Sequence, residues 1–266
     1  MKVVSFVHIS DTHIGPTAVY NRFGHVSYPC TARLVEIINN LPVTPDFVIH
    51  TGDVVTDPDP DSYRLAADLL AKINVPVHYV VGNHDTAVDI RNYMSMAAHE
   101  SLSDNPDLLT YAFDVNGVRF LTIDARGNDE IDPSGLLSDE QLAIVHREVA
   151  TGDSPLVVFM HYPALPINAP WMDRKMLILN GEQLHQALLP ARDRLRGVFY
   201  GHIHQYIQVM RDGISYNSVA SAFSQFTAWP TDEMFGMDRD HLPGYAFVQL
   251  LPEQTIVHQH TFPRPD

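Results

Sequence analysis

Apolar, β-branched stretches recur along the chain at residues 3–9, 47–50, 77–81, 118–123, 156–160 and 198–200. Each is short and continuous, the pattern of strands buried in a sheet. Between several of them the apolar positions follow a helical rhythm instead. Ala32, Val35, Ile38 and Leu41 share one face, and Tyr63, Ala66, Leu69, Leu70 and Ile73 share another. Asp61 and Ser62 are the predicted N-cap residues of the second helix. Ser138-Asp139-Glu140-Gln141 opens a third, with Leu142, Val145 and Val149 facing inward. Strand alternating with helix predicts covered sheets, whereas residues 111–114, Asn116-Gly117 and 118–124 read as a β-hairpin, so the sheets are mixed. In the last third, residues 206–210, Asp212-Gly213, 214–219 and 245–250 predict a second, meandering sheet. Residues 223–240 carry Phe, Trp, Met and acids without a period, which predicts a long loop, a lid over a pocket or an oligomer contact.

Composition narrows the class. The 266 residues are 45% hydrophobic and 18% charged, enough for a single globular domain spanning 1–266. The one cysteine, Cys30, has no intramolecular partner and reads as a small buried filler. The start runs within eleven residues into His8 and Asp11 with no small-residue cleavage site, and no apolar run approaches the roughly 20 residues that cross a bilayer. A cytoplasmic protein without membrane attachment is expected. With 17 Lys+Arg against 32 Asp+Glu, a net charge of −15 argues against a nucleic-acid polymer as partner. The 15 histidines turn attention to metals.

Their positions carry more than their number. Hard or borderline divalent ions take carboxylate and imidazole ligands, and side chains converge at the ends of strands. Asp11-Thr12-His13 follows the first strand, Gly52-Asp53 the second and Gly82-Asn83-His84-Asp85 the third. His161 follows residues 156–160, and Gly201-His202-Ile203-His204 follows residues 198–200. In an extended Asp11-x-His13 the two side chains point the same way and reach one ion. His202-x-His204 repeats the device, or at a turn serves two neighbouring ions. Gly52, Gly82 and Gly201 permit tight turns just before these residues.

The set of D-x-H, G-D, G-N-H-D, H and G-H-x-H resembles the calcineurin-like metallophosphoesterases over Asp11 to His204. Within that family the chain is most similar to the class III cyclic nucleotide phosphodiesterases and the bacterial glycerophosphodiesterases. The opening H-I-S-D-T-H, the Asp that closes Gly82-Asn83-His84-Asp85, and Asp124 followed by residues 135–142 carry that likeness. The stretch after Gly52-Asp53 lacks the Arg-Gly expected of the protein Ser/Thr phosphatases.

The resemblance implies an α/β fold, a four-layered α/β/β/α sandwich with two mixed sheets, and two metal ions at its rim. Asp11, His13, Asp53 and His204 would hold one; Asp53, Asn83, His161 and His202 the other, with Asp53 bridging. Mn²⁺, Fe²⁺/Fe³⁺, Zn²⁺ and Co²⁺ all suit such ligands. His84 would face the substrate and Asp85 would orient a loop or a ligand. The implied activity is hydrolysis of small phosphodiesters, 3',5'-cyclic nucleotides or glycerophosphodiesters, by attack of a metal-bound hydroxide. A phosphomonoesterase or nucleotide hydrolase is the alternative. A homo-oligomer is the expected assembly. Tyr162, Trp171, Phe223, Phe226 and Trp229 are candidate surfaces for a nucleobase. Of the remaining histidines, His50 and His78 are expected in strands, and His25, His99, His146, His185, His241, His258 and His260 exposed.

Overall fold

The computed structural model describes residues 2–265. Two mixed sheets face each other. The first has the order β12-β11-β1-β2-β3, with β1 at Val4–Ile9, β2 at Phe47–His50, β3 at Val77–Tyr79, β11 at Gly244–Leu250 and β12 at Thr255–Thr261. β1, β2 and β3 run parallel, while β11 lies antiparallel to β1 with Val4 opposite Leu250. The second sheet has the order β9-β10-β8-β7-β6-β5-β4. Its strands are β4 at Glu100–Ser101, β5 at Tyr111–Val115, β6 at Val118–Thr122, β7 at Leu156–Phe159, β8 at Leu195–Tyr200, β9 at Gln208–Arg211 and β10 at Ile214–Ser218.

Between the sheets lies a block of phenylalanines. Phe6 stacks on Phe47 at 5.2 Å and meets the edges of Phe159 and Phe199 at 5.4 Å each. Rings fully buried in this way contribute about 1.5–3 kcal/mol apiece and fix the spacing of the sheets. Helices α1 (Ser27–Asn39) and α2 (Pro60–Leu70) pack Leu34, Val35, Ile38, Tyr63, Ala66 and Leu69 into the core of the first sheet. Helix α3 is Ala87–Tyr93. Helices α4 (Asp139–Ala150) and α6 (Gly181–Leu188) cover the second sheet with Ile144, Val145, Leu184 and Leu188, and α5 (Pro170–Lys175) lies beside them in sequence. The fold is the four-layered α/β/β/α sandwich.

Two expectations are corrected here. Asp59, not Asp61 or Ser62, caps α2, because Pro60 takes the first helical position and Asp59 Oδ1 accepts from the amides of Asp61 and Ser62 at 2.9 and 3.0 Å. The strands predicted at 206–219 and 245–250 form no sheet of their own. The β9–β10 hairpin docks beside β8, with Val198 opposite Tyr216, and β11–β12 docks beside β1. A strand period reveals local pairing, while the choice of sheet edge is made by tertiary packing. The hairpin turns are those expected: Asn116-Gly117 and Asp212-Gly213 both hold two successive positive φ angles, which suit a two-residue turn.

Candidate metal centre

The parallel strands β1, β2 and β3 of one sheet and β7 and β8 of the other bring their C-terminal ends to a common rim, and the chain turns there into the five polar loops. The backbone of these loops is strained. Asp11, His13, Asp53, His202 and His204 all adopt left-handed conformations, with φ of 55°, 43°, 56°, 69° and 53°. Such residues cost about 1–3 kcal/mol each unless their surroundings hold them. Here cross-loop hydrogen bonds do so: Asp11 N donates to Gly52 O and His13 N to Asp53 O, both at 3.0 Å, and His202 N donates to the Asp11 carboxylate at 3.0 Å. The extended D-x-H geometry expected above is therefore corrected. Asp11 and His13 share a side because both are left-handed, not because they alternate along a strand.

The structure brings Asp11, His13 and His204 within 4.8 Å of one another by their ligand atoms, and does the same for Asp53, His161 and His202, and for His13, Asp53 and His84. Asp53 Oδ2 stands 3.5 Å from His13 Nε2 and 3.3 Å from His161 Nε2, so one carboxylate serves both groups. His202 and His204, two residues apart, fall into different groups. The six residues Asp11, His13, Asp53, His161, His202 and His204 are buried, whereas Asn83 and His84 are half-exposed on the open side.

Donor atoms crowd together there in a way that a cation would resolve. His13 Nε2 and His204 Nε2 face each other at 3.2 Å, and His202 Nδ1 faces His161 Nε2 at 3.0 Å. Burial drives the His13 imidazole well below its usual proton affinity and His202 down to about 3, so these rings present lone pairs. Burial opposes protonation of His161 too, but the Asp53 and Asp11 carboxylates outweigh it and hold that ring up at about 9. Asn83 Oδ1 and His202 Nε2 are buried without a hydrogen-bond partner. An oxygen- and nitrogen-rich cluster of this kind fits hard or borderline metal ions.

Surrounding groups orient the donors. His161 Nδ1 sits 2.6 Å from the Thr51 carbonyl and His204 Nδ1 2.8 Å from that of Ser224, which turns each Nε2 inward. Asp85 accepts from the amides of Gly82 and Val54 at 3.1 Å each and from the Tyr63 hydroxyl, tying the third loop to the second. Burial, with the Asp53 charge beside it, pushes the Asp85 carboxyl up to about 7. Gly52 and Gly201 leave room that a side chain would fill: a Cβ would stand 2.5 Å from His161 Nδ1 at the first and 2.7 Å from Asp11 Oδ2 at the second.

Above the cluster opens a cleft of about 150 Å³. It is lined by His13, Asp53, Asn83, His84, His202 and His204 from the cluster, by Arg22, and by Trp171, Met176, Phe226 and Phe235 with Pro133. Of the candidate aromatic surfaces, Trp171 and Phe226 line the cleft. Tyr162 and Phe223 are buried, beside His161 and His202 in the first case and beside His13 and His204 in the second. Trp229 is exposed away from the lining. Arg22 gave no signal in the sequence, since it belongs to no strand end or ligand pattern, whereas Phe235 lies in the aromatic segment 223–240, where nothing singles it out. His8 and His50 are also buried, bound to Thr51 Oγ1 and Thr12 Oγ1. His185, expected to be exposed, is buried: Tyr216 Oη and Asp212 Oδ2 lie 2.8 and 3.0 Å from its two nitrogens.

Two facing mixed sheets, with this donor set at their common rim, define a metal-dependent phosphoesterase. The chain belongs to the calcineurin-like phosphoesterase family, whose model matches residues 4–206, and it is a hydrolase. It is 31% identical over 199 residues to the glycerophosphodiester phosphodiesterase GpdQ of Enterobacter lignolyticus, covering 74% of this chain and 69% of that one. Over 248 residues it is 29% identical to the 3',5'-cyclic adenosine monophosphate phosphodiesterase CpdA of Pseudomonas aeruginosa, covering 93% and 85%. Among solved structures, GAP50, the anchor in the inner membrane complex of Plasmodium, matches with a TM-score of 0.59 at 13% identity over 99% of this chain and 90% of that one, a likeness of fold alone. Among the described residues no helix is long and apolar enough to cross a membrane.

Proposed function

We propose that the protein is a dinuclear-metal phosphodiesterase acting on small diesters, with 3',5'-cyclic nucleotides ahead of glycerophosphodiesters. The observation that carries this reading is the sharing of Asp53 Oδ2 between His13 Nε2 at 3.5 Å and His161 Nε2 at 3.3 Å, the arrangement of a carboxylate between two cations. Asp11, His13, Asp53 and His204 would hold one ion, and Asp53, Asn83, His161 and His202 the second. When bound, the ions supply the positive charge that a diester anion and its attacking water both require.

The chain's own residues do the rest. The Thr51 and Ser224 carbonyls keep the His161 and His204 rings aimed, and Asp85 holds the loop that presents Asn83 and His84. His84, its amide bonded to Asp53 Oδ1 at 2.9 Å, stands where it meets the phosphoryl oxygens or the departing alkoxide. Trp171, Phe226 and Phe235 form an aromatic wall, each pair within 5.9 Å, which suits the flat face of a nucleobase better than glycerol. The segment 223–240 supplies two of these three rings and so acts as a wall of the cleft.

The test is metal content by mass spectrometry, with turnover of bis(p-nitrophenyl) phosphate, p-nitrophenyl phosphate, cyclic AMP and glycerophosphoethanolamine in Mn²⁺. About two ions per chain, diester turnover exceeding monoester turnover, and loss of both metal and turnover in Asp53→Ala are expected. Monoester turnover exceeding diester turnover would replace this reading by a phosphomonoesterase, and a chain that takes up no metal would remove both.

A further inference from the structure

Arg22 is a cation without an anion. It sits on a two-residue ribbon, Asn21–Arg22 paired with His25–Val26, whose turn is pinned by Phe23 at φ 56°, Gly24 at φ 88° and the Gly24 amide donating to Asn21 Oδ1 at 3.0 Å. The guanidinium packs against the ring of Phe23, 4.8 Å from its centroid, and lines the cleft beside His84, Asn83 and Asp53. Among the described residues no carboxylate lies within 4.0 Å of it, although the chain carries 32 acidic residues against 17 basic ones. Its Nε is buried and has no hydrogen-bond partner. Among the described residues its one side-chain polar contact is Nη2 at 3.0 Å from His84 Nε2.

A half-buried guanidinium with an idle Nε–H is costly unless an acceptor completes it. Guanidinium always donates, so the contact with Nε2 requires His84 to present a lone pair there rather than a proton. An imidazole is a weak substitute for the acceptor that a fork of N–H groups fits best, an oxyanion with two oxygens.

We propose that Arg22 binds the substrate phosphoryl group through its non-bridging oxygens, exchanging His84 for the phosphoryl oxygen when substrate enters the cleft. This rests on the phosphodiesterase reading above and gives that site its recognition residue beside the aromatic wall, to which Phe23 links it through Phe226 at 6.0 Å and Phe235 at 5.9 Å. The consequence is a division of labour. Arg22 and the aromatic wall hold the two halves of the diester, and His84, released from Arg22, is free to act on the leaving oxygen.

Arg22→Met and Arg22→Lys test it, each measured in the metal-loaded protein by two readouts. The first is calorimetric binding of inorganic phosphate, and the second is kcat and KM for bis(p-nitrophenyl) phosphate. Loss of one charge-assisted pair predicts phosphate affinity and kcat/KM lower by about 10- to 100-fold in Arg22→Met. In Arg22→Lys the loss is smaller, because the charge remains without the fork. Metal content and melting temperature equal to the parent's show that the loss is not a folding defect. Phosphate affinity unchanged in Arg22→Met overturns the assignment of Arg22 and leaves the phosphodiesterase reading standing. A parent that binds phosphate through Arg22 but turns over no diester supports Arg22 as an anion clamp and removes that reading instead.

Discussion

Gly52→Ala isolates how the loops aim the donors. Gly52 lies at φ +100°, where a side chain strains the backbone by about 1–3 kcal/mol. The new Cβ would also stand 2.5 Å from His161 Nδ1 and 2.8 Å from the Gly82 backbone nitrogen, and neither can swing aside freely. The imidazole is held by the Thr51 carbonyl at 2.6 Å, and the other neighbour is main chain. Overpacking of this kind adds about 1–3 kcal/mol. For 266 residues the unfolding entropy is about 0.56 kcal/mol/K, so a total of about 2–6 kcal/mol lowers the melting temperature by about 4–11 °C. Gly117→Ala is the matched control, with φ +82° and nothing within 4 Å, so that strain alone lowers it by about 2–5 °C. Thermal melts in chelator read the first effect. Equilibrium dialysis of Mn²⁺ reads the second, because displacing His161 costs about 10- to 100-fold in metal affinity and Gly117→Ala costs none. A Gly52→Ala protein that melts with the control and binds metal like the parent would refute the reasoning.

Other outcomes follow from separate parts of the molecule. Asp124 is held up at about 6 by burial, partly offset by the amides of Leu109 and Arg126 that it accepts from, whereas an unfolded aspartate titrates near 3.8. The native chain therefore keeps a proton that the unfolded chain has lost, and the resulting stability is full below about pH 4 and gone above about pH 6. The parent-minus-Asp124→Asn difference in urea unfolding free energy should fall across that window, and a flat difference contradicts it. Arg119 bonds Glu100 and Asp114 at 2.8 Å and the nearly buried Glu148 at 3.0 Å. Arg119→Met strands Glu148 and should cost about 2–3 kcal/mol in urea unfolding, much of it restored by Glu148→Gln in the double variant. Trp171→Ala should raise KM for cyclic AMP by about 5- to 100-fold while leaving glycerophosphoethanolamine within a factor of two, a split lost if the ring only packs.

Strand ends were legible because the same short apolar runs that bury a strand stop at a glycine and a polar cluster, as at Gly52-Asp53 and Gly201-His202. The left-handed backbone of Asp11 and His13 was not, since an i, i+2 pair projects to one side both in a strand and in this turn. The burial of His185 depends on Asp212 and Tyr216, residues that only the fold brings near. β12 escaped notice because it is an edge strand whose second half, His258 to Thr261, is polar and exposed, leaving only Ile256 and Val257 as an apolar signal. Arg22 lies in a polar turn and gains meaning only from His84, 62 residues away.

The antiparallel pairing of β1 with β11 also sets the order in which the molecule is finished. During synthesis every donor from Asp11 to His204 has emerged before residues 244–250 exist, yet β1 remains a bare edge strand until Leu250 can lie opposite Val4. The loop holding Asp11 waits as well, for Ser221 Oγ, which donates to its carbonyl at 2.8 Å. Closure of this long-range pair is slow relative to the local hairpins, and in the interval an unpaired apolar strand edge is a template for misassembly.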